Sequence, residues 1–193
     1  MPRLWQLTRN RHARRLYERL AELGVTVATL DVYVHDHPDE ISDATPDAVT
    51  VETYTRDDLV RGDLATADPA FDDLVGTDRA VVAHEDGVVA GFLFVSGDRE
   101  VAVPALDASI SYDGAYIWNV YVDPAFRRRG VATALIRRGL ATAGAVFGAS
   151  TVLALVAPDN YPSRRAFESN GFEPRQTISY LRLFGFETRF ERT

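Results

Sequence analysis

The chain has 193 residues, a formal net charge of -7 from 21 basic and 28 acidic residues, 46% hydrophobic residues and no cysteine. That is enough apolar chain for one domain with a sizeable core, and it excludes a disordered class. Every basic residue is arginine, so lysine Schiff bases and Gly-Lys-Ser/Thr phosphate loops are excluded, as are disulfides, thiolate zinc sites and cysteine acyl-enzymes.

The elements begin with a basic segment. The first twenty residues carry six arginines against Glu18 alone. Ala13, Leu16, Tyr17, Leu20 and Leu23 recur there at helical spacing, and Gly24 follows as a stop, which predicts an amphipathic helix. Its apolar stripe favours packing on the chain itself over contact with nucleic acid. Val25 to Val34 predicts a strand, and His35 to Pro46 a polar linker. Residues 1–47 therefore read as an N-terminal extension, and 48–193 as the main domain. His35, Asp36 and His37 with Asp39 and Glu40 resemble metal ligands, but a linker fixes no geometry, so a solvated acidic loop is expected and no metal.

Within the main domain, Val49 to Tyr54 predicts a strand and Asp57 to Leu74 one or two irregular helices. Arg79 to His84 and Val88 to Val95 predict a hairpin about Asp86-Gly87, a turn dipeptide. Tyr116 to Val122 is the next strand, followed by a helix from Gly130 to Phe147 and a buried strand from Thr151 to Val156. Asp159 or Asn160 caps a short helix with Pro162 in its first turn and Asn170-Gly171 at its end, and Gln176 to Phe184 is the last strand. The order is mixed α/β, without repeats. No stretch has the apolar length of a membrane span, and the charged N-terminus lacks a signal-peptide run, so a cytoplasmic protein is expected. The lysine-free, Asp-rich composition resembles that of proteins from salt-loving organisms, and a GC-rich genome accounts for the arginine equally well.

The segment that carries chemistry is Val120-Tyr121-Val122-Asp123-Pro124-Ala125-Phe126-Arg127-Arg128-Arg129-Gly130-Val131-Ala132, a strand that turns into a helix. Gly130 and Ala132 keep bulk away from the helix start, where unpaired N–H groups and the positive dipole end suit a polyanion. A solvated turn whose arginines pair with surface aspartates is the plainer alternative. Arg127 to Ala132 resembles the Arg/Gln-x-x-Gly-x-Gly/Ala signature of the GNAT superfamily of acyl-CoA-dependent N-acyltransferases, and Val122 to Phe126 resembles its lead-in. Asn160, Ala166-Phe167-Glu168 and Gly171-Phe172 resemble a second element of that family, and the resemblance runs from about Ala48 to Phe184.

The resemblance implies a splayed, mostly antiparallel sheet flanked by helices, whose strands Tyr116 to Val122 and Thr151 to Val156 part to admit pantetheine. It implies that Val120, Tyr121 and Val122 line acetyl-CoA, the acyl donor. Arg127, Arg128, Arg129, Gly130, Val131, Ala132 and Thr133 would hold its pyrophosphate, and Asn160 also serves the coenzyme. The expected reaction is direct transfer of an acyl group to a primary amine in a ternary complex. Tyr116 stands where some members have a basic glutamate, and packing beside the groove is its other reading; His84 and Glu85 are alternatives at the hairpin end. Phe167 stands where members commonly have a proton-donating tyrosine, which leaves Tyr161, Ser163 or water for that role. A catalytically weak acyl-CoA-binding regulatory module is the competing function. The acceptor amine is not specified by one sequence, and a homodimer stays open.

Overall fold

The computed structural model describes residues 25–38, 49–62, 69–97, 100–103, 108–183 and 186–192. Strand β1 (Val25–Asp36) is followed by β2 (Thr50–Tyr54) and helix α1 (Arg56–Arg61), then a 3-10 turn (Pro69–Asp73), β3 (Arg79–Glu85) and β4 (Val88–Gly97). Next come β5 (Glu100–Val103), β6 (Ala108–Ser111), β7 (Ala115–Val122), a 3-10 turn (Pro124–Phe126), α2 (Val131–Phe147), β8 (Thr151–Val156), α3 (Tyr161–Glu168), β9 (Glu173–Leu183) and β10 (Phe186–Arg192). The amphipathic helix expected over Leu7 to Leu23 lies outside the described residues.

Local signals act as the sequence predicts. Asp86 and Gly87 have φ of 52° and 76°, the two positive angles a tight two-residue hairpin turn requires. Thr55 caps α1 by accepting from the Asp58 amide at 3.2 Å, while the Asp58 carboxylate accepts from the Thr55 amide at 3.0 Å, so each satisfies a donor that the helix start would orphan.

Among the described residues eight strands form one sheet in the order β10-β9-β1-β8-β7-β4-β3-β2, and β5 and β6 form a separate ribbon. Its pairs are antiparallel except β7 with β8. Helix α2 covers one face, packing Leu135, Ile136 and Leu140 against Leu93, Val95 and Ile117, all buried. Gly139 permits that approach, because a Cβ there would lie 3.1 Å from Ile117 Cδ1 and 3.2 Å from Leu93 Cδ1. A second, aromatic cluster occupies the other face: Leu59 of α1 and Phe71 and Leu74 pack on Ala80, Val82, Phe92 and Phe94.

The strand predicted in the N-terminal extension lies inside this sheet and runs two residues further than expected, through Asp36. It pairs with β8 on one side and β9 on the other. β8 carries a buried apolar run and requires cover on both edges; β7 supplies only part of one, and β1 supplies the other. Tyr33 of β1 is fully buried. Its hydroxyl donates to Glu168 Oε1 at 2.8 Å and accepts from Arg164 Nε at 3.0 Å, fastening α3 to the sheet.

His35 is the end of that strand rather than linker. It is 8% exposed and its ring meets Phe172 edge-on at 5.3 Å, and its buried Nδ1 has no hydrogen-bond partner among the described residues. Burial pushes its pKa below the usual 6.5, against weaker opposing pulls from the neighbouring backbone and carboxylate of Asp36. The folded state therefore favours neutral imidazole: stability is complete above the unfolded pKa and declines as pH falls below it, where the unfolded chain takes up the proton first. Urea unfolding at about pH 7.5 and about pH 5 is expected to show an acid loss that His35→Phe reduces.

Candidate active site

The two central strands separate. β7 and β8 pair in parallel only at Ala115 with Val152, Tyr116 with Leu153 and Ile117 with Ala154. Beyond Ile117 the rest of β7, through Val122, has no partner on β8. The cause lies on the other side of β7: Phe92 of β4 stands opposite Tyr121, and Phe94 stands opposite Trp118. Asn119 and Val120 therefore share the space opposite Leu93, and Asn119 takes φ of 52°. Such a bulge bends and twists its strand, here at the position where β7 leaves β8. Val120 and Val122 pack toward the α2 cluster, whereas Trp118 and Tyr121 pack toward the aromatic one.

A short turn leads from the separated strand to the helix. The Asp123 amide donates to the Ala90 carbonyl at 3.0 Å, and the Asp123 side chain accepts from the Ala125 amide at 2.8 Å. Arg128 and Gly130 then adopt left-handed φ of 62° and 82°. Gly130 is the N-cap of α2 and supplies no side-chain cap; the first bond of the helix runs from the Ala134 amide to the Gly130 carbonyl at 3.0 Å. The amides of Val131, Ala132 and Thr133 thus belong to the set that a helix leaves without internal partners. In the chain these three residues and Gly130 follow the part of β7 that has left β8, across the turn from Asp123 to Arg129.

The three arginines are not equivalent, which differs from a uniform cluster aimed at an anion. Arg127 Nε donates to the Val122 carbonyl at 3.1 Å. Arg129 pairs with Glu85 at the end of β3, and its guanidinium lies 5.7 Å from the Phe126 ring centre. Arg128 is exposed, and among the described residues its side chain has no hydrogen-bond or ion-pair partner. Sequence spacing treats the three alike; the partners come from residues distant in the chain.

The candidate proton-handling residues fall in different places. Tyr116 lies on the paired part of β7, opposite Ser96 and Leu153, with its ring 5.6 Å from that of Tyr112. Glu85 faces the helix start through Arg129, whereas His84 belongs to the sheet face opposite α2. There Tyr54 donates to Glu52 Oε2 at 2.6 Å and lies 3.4 Å from His84 Nε2. Burial first, and the Glu52 carboxylate second, push the Tyr54 hydroxyl up to about 12, so it stays protonated. Glu52 and Tyr54 are absent from the sequence-based candidates; their i, i+2 spacing on one strand, which aims both at one face, was the available signal.

Asn160 is the N-cap of α3, and its side-chain oxygen accepts from the Ser163 amide at 3.3 Å. Its amide nitrogen keeps its donors. Phe167 is 3% exposed, with its ring 4.9 Å from Phe172 and 6.5 Å from Tyr33. Tyr161 is 52% exposed at the start of α3. Among the described residues no helix is long and apolar enough to cross a membrane.

Among the described residues, a mixed sheet whose one parallel pair splits, followed by a helix that starts on a glycine, agrees with the splayed sheet that the resemblance implies. The sequence profile of the Acetyltransferase (GNAT) family matches residues 43–172, and the chain belongs to that family. Among solved structures, a GCN5-related N-acetyltransferase from Kribbella flavida is 19% identical, with a TM-score of 0.58 over 86% of this chain and 63% of its own. A GCN5-related N-acetyltransferase-like protein from Streptococcus suis is 18% identical, with a TM-score of 0.55 over 90% of this chain and 69% of its own. The aminoglycoside N-acetyltransferase AAC(6')-Iy, solved with CoA, is 24% identical, with a TM-score of 0.47 over 64% of this chain and 91% of its own. This chain thus spans less than two thirds of the length of the Kribbella protein. Comparison with curated protein sequences finds no match.

Proposed function

We propose that the chain transfers an acetyl group from acetyl-CoA to a primary amine by direct attack. The observation that carries this reading is the opening between β7 and β8, followed in the chain by the uncapped start of α2. Pantetheine is extended and pairs with strand backbone, which Val120, Tyr121 and Val122 offer beyond the split. The pyrophosphate takes the amides of Val131, Ala132 and Thr133, where a helix dipole favours negative charge. Gly130 leaves room for it, Arg128 and Arg129 supply positive charge, and Asn160 offers amide donors from the facing helix. A backbone donor aimed at the thioester carbonyl stabilises the negative charge that develops as the amine attacks, worth about 3 kcal/mol. The chain has neither cysteine nor lysine to carry the acyl group, which leaves direct attack or a serine or threonine ester, and the family resemblance favours direct attack.

The charge distribution agrees with two ligands of opposite sign. From Val120 to Arg175 the chain has eight arginines against four acids, whereas from Val49 to Arg99 it has eleven acids against four arginines. The first segment supplies the helix start, and the second supplies the sheet edge with Glu52, Tyr54 and His84. A field of that sign attracts a cationic amine.

One observation favours the second reading, an acyl-CoA-binding regulatory module: Phe167 is buried among rings and offers no proton to a departing thiolate. Thiol release from acetyl-CoA over a panel of primary amines separates the two. Turnover that requires an amine supports the transferase, with Tyr161, Ser163 or water giving the proton. Coenzyme binding without turnover by the wild type supports the module, and Phe167→Tyr then tests whether a missing acid is the reason.

A further inference from the structure

We propose that Glu85 is an internal counter-ion that competes with the coenzyme for Arg129 and thereby sets how tightly the helix start holds its anion. The inference rests on the coenzyme placement given above. Glu85 comes from the β3–β4 hairpin, 44 residues from its partner, and its Oε1 accepts from Arg129 Nη2. The Glu85 side chain is only 15% exposed, against 46% for Arg129. Its second oxygen, Oε2, is buried and has no hydrogen-bond partner among the described residues.

That last feature separates this pair from an ordinary structural salt bridge. A carboxylate held for stability engages both oxygens, commonly in a bidentate fork with arginine, whereas one left half satisfied pays a desolvation cost without return. The contact also uses only part of the guanidinium, which carries five donors and is half exposed, so Arg129 can meet a second anion from the solvent side. It sits one residue before Gly130, at the helix start. A pyrophosphate there and the Glu85 carboxylate are like charges that draw on one cation. Each lowers the other's share, and the cost falls on the ligand that can leave. The functional consequence is faster departure of CoA after transfer.

Glu85→Gln tests this, because the amide oxygen still accepts from Arg129 while the charge is removed. Calorimetric titration with CoA at about 0.02 M and about 0.5 M salt reads the effect. The expected result is binding roughly fivefold tighter than wild type at low salt, the scale of one exposed charge pair, with the gain shrinking at high salt. In an Arg129→Ala background the same substitution is expected to give a smaller gain, since the contested cation is gone. Melting curves of each variant verify that it is folded, and Glu85→Ala serves as the second neutral variant if Gln does not fold. Unchanged or weaker binding in the neutral variant, or an equal gain without Arg129, overturns the proposal while wild-type CoA binding stands. Absence of CoA binding by the wild type removes the coenzyme placement itself, and this inference with it.

Discussion

Gly130→Trp is expected to abolish coenzyme A binding, lowering affinity at least about a hundredfold, the value of two charge-assisted hydrogen bonds. Gly130 is the N-cap of α2 with φ of 82°, and an indole there fills the space before the Val131, Ala132 and Thr133 amides. The loss is steric, so it persists at high salt, whereas the smaller loss from Arg129→Ala is screened. Because a left-handed angle also strains any branched side chain, Gly130→Asn serves as the control. Asparagine tolerates that angle and is expected to fold and retain most of the affinity. Calorimetry with CoA at two salt concentrations reads all three variants. A Gly130→Trp protein that binds as tightly as wild type would place the pyrophosphate elsewhere.

Gly114→Ala is expected to cost about 3 kcal/mol of stability, from left-handed strain and overpacking together. Gly114 has φ of 121°, and a Cβ there would lie 2.3 Å from the Thr151 carbonyl oxygen. That contact is with backbone, which cannot swing away as a side chain can. The position also precedes the three parallel pairs that hold β7 to β8, so any shift that relieves the clash opens the sheet at its narrowest join. For a chain of this size the melting temperature is expected to fall by about 6–12 °C. A melting temperature within a degree of wild type would mean that the join is not rigid. Gly87→Ala offers a contrast: its φ is also positive, at 76°, but nothing lies within 4 Å of the added carbon, so only the smaller strain cost is expected.

What the sequence revealed follows from how local each signal is. The helix start at Gly130, the Asp86-Gly87 turn and the capping of α3 by Asn160 are each written within a few residues, and the structure has all three. The pairing of β1 is not local: Thr177 Oγ1 donates to Asp31 Oδ1 at 2.8 Å across 146 positions of chain, and nothing near Asp31 specifies that partner. The strand itself was legible from its alternation, its place between β8 and β9 was not. β10 went unpredicted because Phe186 to Arg192 alternates weakly with charged residues, as an edge strand does, and the β5–β6 ribbon was missed as well.

At the site the same rule holds. Arg127, Arg128 and Arg129 read as equals in sequence, yet their environments differ because Val122 and Glu85 claim two of them. His35 shows the reverse error: next to Asp36, His37 and Asp39 it resembled a polar linker, but its packing partner Phe172 lies on the far side of the chain and draws it into the core. Tertiary contacts decide such cases, and only burial reveals them. Phe167 is where the resemblance and the packing agree, since its ring fits between Phe172 and Tyr33 and leaves the proton donor to be found by experiment.

The central claim is a placement: coenzyme along the separated part of β7, with its pyrophosphate on the first turn of α2. A crystal structure of the complex with CoA tests it most directly. The account predicts phosphate oxygens within hydrogen-bond distance of the Val131, Ala132 and Thr133 amides, and the pantetheine arm between β7 and β8 beside Val120 and Val122. CoA bound on the opposite sheet face, or held by side chains with those amides turned to solvent, would contradict it.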